Sequence, residues 1–169
     1  AGDSKYRPFF SHCEYKTHDF KQYAGIKLGG TTEYGAIDYV SDITNIPVPD
    51  NAFDVIICTE VLEHVERPDQ ILGEILRVAR PTARIALSVP NEKLINRVKN
   101  WIVRMGLGGL FFKGKYNVPE RMDDEWHLHV FDLKDLIRRL SSKFLIEKVT
   151  PIPSPLLPLR HVISCSPRP

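Results

Sequence analysis

No run of this sequence is apolar for long enough to cross a bilayer, which takes ~20 residues. A transmembrane anchor is therefore not read from it. Cysteine is sparse, with only Cys13, Cys58 and Cys165, odd in number, far apart and without a Cys-x-x-Cys pair. That excludes a disulfide-stapled scaffold and predicts buried free thiols in a reducing, cytoplasmic compartment. Neither sign of charge dominates: 23 Lys and Arg face 21 Asp and Glu, a net charge of +2. Charge alone thus gives no argument for nucleic acid or a membrane surface. No secretory leader pattern opens the sequence, and there is no internal repeat or coiled coil. The 169 residues, 43% hydrophobic and 26% charged, suffice for one globular domain with a sizeable core.

Short apolar runs bounded by Pro, Asp and Asn fit buried parallel strands. Glu14–Asp19, Tyr34–Val40, Phe53–Thr59 and Ile85–Val89 are of this kind. Pro68 suits the first turn of a helix running to about Arg80, with Ile71, Leu72, Ile75, Leu76 and Ala79 on one face. Pro81 is expected to stop it. Asp132 reads as the N-cap of a helix to about Leu140, with Leu133, Leu136, Ile137 and Leu140 inward. Leu145–Val149 and His161–Cys165 read as two last strands. The linker Thr150–Leu159, with four prolines, is expected to be extended or turned.

Residues 93–126 stand apart. Leu94, Ile95, Val98, Trp101, Ile102 and Met105 share a helical face, and a glycine-broken apolar stretch and an acidic patch follow. This is read as an insert or lid, with a helix packed on the core as the plainer alternative.

A polar residue at the carboxyl end of a strand in an open α/β sheet stands where such sheets bind ligands. Asp42 and Thr59-Glu60 occupy two such ends, close in sequence. The run from Asp42 to Val65 reads D-I-x-x-I-P-x-P-D-x-x-F-D-V-I-I-C-x-E-V-L-E-H-V, and L-R-V-A-R-P…I-A-L-S-V-P-N-E continues it in register. These motifs resemble the class I S-adenosylmethionine (SAM)-dependent methyltransferases.

The resemblance implies a Rossmann-like, mostly parallel sheet with flanking helices and an antiparallel C-terminal strand. It makes residues 1–169 a single methyltransferase-like domain. Ala1-Gly2-Asp3 matches only the second half of the family's glycine loop, so the domain is expected to be N-terminally incomplete. The turn Pro81-Thr82-Ala83-Arg84 stands where the family often has Gly-Gly.

SAM is the implied cofactor. Asp19 matches the acid on the ribose diol, with Phe20 walling that side. Asp42 matches the acid that reaches the adenine amine, with Ile43 beside the ring. Gly2 and Asp3 match the loop along the methionine portion, and Thr59 and Glu60 follow the strand facing the transferred methyl. The plainer reading of Asp19 and Asp42 is a turn acid or cap. His64 is the foremost base, with His127 and His129 behind it. Glu60, Glu63 and His64 form an E-x-x-E-H set of the kind that can bind a divalent ion. The same set braces the turn in family members that use no metal, and no metal is expected here. The implied reaction is methylation of a small-molecule or glycan acceptor, at oxygen, with no nucleic-acid partner. The alternative is a non-catalytic binding or scaffolding module.

Overall fold

The computed structural model describes residues 6–20, 37–107 and 128–169. The chain divides into two compact units, Ala1–Pro49 and Asp50–Pro169.

In the first unit, strands β1 (His18–Asp19) and β2 (Tyr39–Val40) pair in parallel, with His18 opposite Tyr39 and Asp19 opposite Val40. The sequence suggests longer strands here. Glu14–Thr17 is not part of β1, and residues 34–36 of the second expected strand lie outside the described residues. A side-chain lock holds the pair. Asp38 Oδ2 accepts from the Thr17 amide and hydroxyl, both at 2.8 Å, and from Arg7 at 2.7 Å. The Asp38 amide donates in return to Thr17 Oγ1 at 3.1 Å. Four hydrogen bonds thus do at one point what a longer ladder would do along its length.

The second unit is a four-stranded sheet, ordered β3 (Phe53–Thr59), β4 (Ala79–Pro90), β6 (Leu157–Pro167), β5 (Phe144–Ser154). β3 and β4 are parallel; β6 is antiparallel to both β4 and β5. β5 therefore runs with β3 and β4, and β6 is the single reversed strand, as the α/β reading expects. Helix α1 (Pro68–Val78) connects β3 to β4, and α2 (Glu92–Arg104) follows β4. Helix α3 (Leu133–Ser141) precedes β5.

Pro68 opens α1, and Ile71, Leu72, Ile75 and Val78 are buried at its expected helical spacing. α3 starts where Asp132 Oδ1 accepts from the Lys134 amide at 2.9 Å, and it buries Leu136 and Leu140. Both leucines are fully buried with Phe144, Leu87 and Ile163, so truncating either to Ala would cost about 2–5 kcal/mol.

Three boundaries differ from expectation. α1 ends at Val78, and the chain enters β4 directly at Ala79, with Pro81 inside the strand. Between Phe53 opposite Ala79 and Val55 opposite Arg84, β4 uses more residues than β3, so the proline sits in a bulge. The proline-rich stretch is not a linker: it forms the end of the β5–β6 hairpin, turning at Pro155-Leu156. β5 is an edge strand, where a missing amide costs little. Finally, β3 is the other edge of its sheet. Val55 and Ile57 are exposed, although their apolar run suggested a strand covered on both faces.

Candidate functional site

In the first unit Asp19 ends β1, and Asp42 stands two residues beyond β2. The parallel register puts both acids at the carboxyl edge of adjacent strands. Asp42 Oδ1 accepts from the amide and the hydroxyl of Thr44, each at 2.8 Å, and its carbonyl accepts from the Asn45 amide at 3.0 Å. The turn role is thus present, while the residue as a whole stays exposed beside half-buried Ile43. Phe20 follows Asp19 and is exposed. His18 Nε2 lies 3.0 Å from Ser41 Oγ, tying the ends of β1 and β2 together. Its pKa is lowered, chiefly by burial. Gly2 and Asp3 lie outside the described residues.

In the second unit the corresponding edge is reached at Thr59. Glu60 then adopts a left-handed backbone, φ 54°, which is strained for a residue with a side chain. Three contacts hold it. Its amide donates to the Ser88 carbonyl at 3.1 Å, and its Oε1 accepts from Ser88 Oγ at 2.8 Å. Arg160 Nε lies 3.0 Å from the same oxygen. Ser88 is on β4 and Arg160 on β6, so the end of β3 is fixed by both following strands of the sheet.

The chain then makes a 3-10 turn, Leu62–His64. Glu63 is buried, and its Oε1 lies 3.9 Å from His64 Nε2, while the His64 side chain is 30% exposed. Burial, and after it the charge of Glu63, pushes the Cys58 thiol up to about 12. Cys58 therefore stays protonated and is no nucleophile. Burial likewise pushes buried Cys165 to about 11, while Cys13 is exposed, and all three cysteines are free.

The segment expected behind His64 docks on this turn. The Glu63 carbonyl accepts from the amides of Leu128 at 2.8 Å and His129 at 3.2 Å. The His129 ring reaches the Glu66 carbonyl at 3.3 Å. The sequence ranks His129 after His64 as a candidate base, and the structure brings the two backbones to one turn. His127 lies outside the described residues. Among the described residues, no three His, Cys, Asp or Glu side chains are grouped to hold a metal ion. Glu60 is instead committed to Ser88 and Arg160.

His129 contacts Phe131, ring centroids 5.8 Å apart, and Phe131 lines a cleft of about 130 Å³ at the carboxyl end of β4. Val89, Pro90, Lys93, Asp132 and His161 share its walls. Lys93 Nζ and Asp132 Oδ2, 3.3 Å apart, form its charged rim. Burial lowers the His161 pKa, which favours the uncharged ring. Asn91 also lines the cleft and braces it: Oδ1 caps α2 at the Leu94 amide, Nδ2 donates to the Pro158 carbonyl, and its amide donates to the Leu159 carbonyl.

Arg160, His161 and Ser88 are contributions that sequence reasoning missed. The first two follow a proline cluster read as linker, and Ser88 sits inside an apolar strand. Only the reversed direction of β6 carries Arg160 and His161 to the carboxyl edge of β4.

Residues 17–87 match the family model described as a methyltransferase domain. The chain is 33% identical over 64 residues to the mitochondrial ubiquinone biosynthesis O-methyltransferase of Schizosaccharomyces pombe, which is 38% of this chain and 23% of that protein. It is 36% identical over 61 residues to norajmaline N-methyltransferase of Rauvolfia serpentina, covering 36% of this chain and 20% of that one. The matched segments thus span less than a quarter of either relative. The fold is similar to that of a SAM-dependent methyltransferase from Methanosarcina mazei, with TM-score 0.55 at 19% identity over 89% of this chain and 80% of the other.

Proposed function

We propose that this chain, which carries the Rossmann-like core of a class I SAM-dependent methyltransferase domain, binds SAM and methylates a small-molecule acceptor at oxygen. The carrying observation is the pair Asp19 and Asp42 at the carboxyl ends of adjacent parallel strands. The matched family segment contains both.

A ribose diol asks for a carboxylate that accepts two hydrogen bonds, and Asp19 is the group for it. Asp42 would accept from the adenine amine, with Ile43 against the ring and Phe20 beside the ribose. These residue types fit the cofactor, because two acids meet the ribose diol and the adenine amine, and two apolar side chains meet the ribose and the flat base. Gly2 and Asp3 would pass along the methionine portion. The resemblance also assigns Thr59 and Glu60 to the cofactor, and Glu60 is positioned by Ser88 and Arg160.

When bound, SAM supplies an electrophilic methyl group on a sulfonium. The chain's own task is then to hold the acceptor oxygen in line and take its proton. His64 is the base in this reading, with His129, and His127 before it, shaping the acceptor side. The cleft beside Phe131 takes the acceptor. Its ~130 Å³ is close to the ~150 Å³ that accommodates one benzene ring, and its walls mix apolar and polar groups. Small-molecule acceptors are supported by the names of the two relatives, one an O- and one an N-methyltransferase. Two buried free thiols fit a reducing, cytoplasmic setting.

Titration calorimetry with SAM and with S-adenosylhomocysteine tests the cofactor assignment. Saturable binding lost in an Asp19→Ala, Asp42→Ala double variant is expected. No heat and no thermal stabilisation with either compound would overturn it. Binding without transfer to any phenol or catechol offered would favour a module that binds without turnover.

A further inference from the structure

Helix α2 opens the segment 93–126, which the sequence reads as an insert or lid or, more plainly, as a helix packed on the core. None of the thirteen residues of α2 is buried. Leu94, Ile95, Val98 and Ile102 are half-buried, and α2 contacts β6. The apolar arc is wider than the part the sheet covers. Trp101 is 61% exposed and Met105 53%, one turn apart on the same flank. Leu107, just past the helix, is also exposed.

A line of cations borders that flank. Arg97, Trp101 and Arg104 recur at i, i+4 and i+7, so they stack along one side of the helix. Lys93 begins the same line four residues earlier, with its charge partly met by Asp132. Arg97 and Arg104 are exposed and make no ion pair with any described residue. Glu92 is the only acid in the helix, against Lys93, Arg97, Lys99 and Arg104.

An interfacial helix has this layout: a polar face rich in Lys and Arg beside an apolar flank bearing Trp. Tryptophan favours the headgroup level, where its ring is in apolar surroundings and its N–H stays wet. Arginine beside it can lay its stem along the apolar surface and keep its charge at the phosphates. A nucleic-acid groove would use the cations but would gain nothing from Met105 and Leu107.

We propose that α2 docks on an anionic lipid surface, with Arg97 and Arg104 against the headgroups and Trp101 and Met105 entering the interface. The docking is peripheral and reversible, because one short helix and a few charges give modest affinity. The proposal is independent of the methyltransferase reading.

The test is co-sedimentation of the full chain with vesicles of phosphatidylcholine, with and without phosphatidylserine. Binding to the anionic vesicles only, weakening as salt rises, is expected. Arg97→Gln and Arg104→Gln should each lower the partition coefficient about fivefold, whereas Arg97→Lys and Arg104→Lys should hold it near the original. Trp101→Ala should weaken binding with the melting temperature unchanged, since the ring is exposed. Equal binding to neutral vesicles, or none to either, overturns the proposal. So does a dimer in lipid-free sedimentation that Trp101→Ala dissolves, or tighter binding to a DNA duplex than to vesicles at the same salt.

Discussion

Arg160 Nε stands 3.0 Å from Glu60 Oε1, and that contact joins the start of the reversed strand β6 to the end of β3. Glu60 holds a left-handed backbone, φ 54°, at the point where β3 passes into the 3-10 turn bearing His64. Such a conformation costs of order 1 kcal/mol or more and persists where neighbours over-determine it. Ser88 and Arg160 are those neighbours.

Arg160→Met should therefore separate stability from turnover. The Arg160 side chain is half exposed, so the pair itself contributes no more than about 1 kcal/mol. A near-unchanged melting temperature with a lowered kcat is the expected result. Equal loss of both would make the pair merely structural.

Asp42 serves its turn through Oδ1, and an amide oxygen can accept the same two bonds from Thr44. Asp42→Asn should keep the fold while weakening SAM binding by about 1–3 kcal/mol, the scale of a hydrogen bond to a charged group. Titration calorimetry reads this directly. Unchanged affinity would leave Asp42 as a turn residue only.

His64→Ala should lower kcat about 10²-fold or more if the imidazole takes the acceptor proton, while SAM affinity stays within twofold, about 0.4 kcal/mol. Parallel loss of cofactor binding would identify the ring as a brace for the turn that Leu128 and His129 dock on.

The Asp38 carboxyl is depressed from 3.8 to about 2, first by the Thr17 hydroxyl, then by the Thr17 amide and Arg7, against the opposing effect of desolvation. A depressed acid contributes stability above its unfolded pKa and loses it as pH falls through the folded value. The lock between β1 and β2 should thus weaken between about pH 4 and pH 2. The Thr17 amide shift, followed by NMR, should titrate in that window. Asp38→Asn should abolish the step.

Gly73 lies in α1, and a Cβ built there meets nothing within 4 Å. Its backbone is helical, so alanine needs no rearrangement. Gly73→Ala should raise stability by about 0.4–1 kcal/mol through the loss of unfolded-state freedom. Thermal or urea unfolding would show it, and a fall in stability would mean the helix face is tighter than its geometry.

The sequence by itself determined the α/β class, the full extent of Phe53–Thr59, the start of α1 at Pro68 and the Asp132 cap. These depend on local periodicity and on residues whose backbone chemistry is fixed, so tertiary context had little to override. It also marked Asp19, Asp42 and the Glu60–His64 turn, because a motif of contiguous residues needs no partner to be seen. Only the tertiary structure decided that the proline-rich stretch is a hairpin: Pro151 and Pro153 fall on the edge strand β5, Pro155 in the turn, and Pro158 on β6 beyond its last pair with β4, where missing amides go unmissed. It alone decided that Glu60 is held by Ser88 and Arg160, 28 and 100 positions away in the chain. Long-range pairings of that kind depend on strand order and direction, and neither is written in any local stretch of sequence.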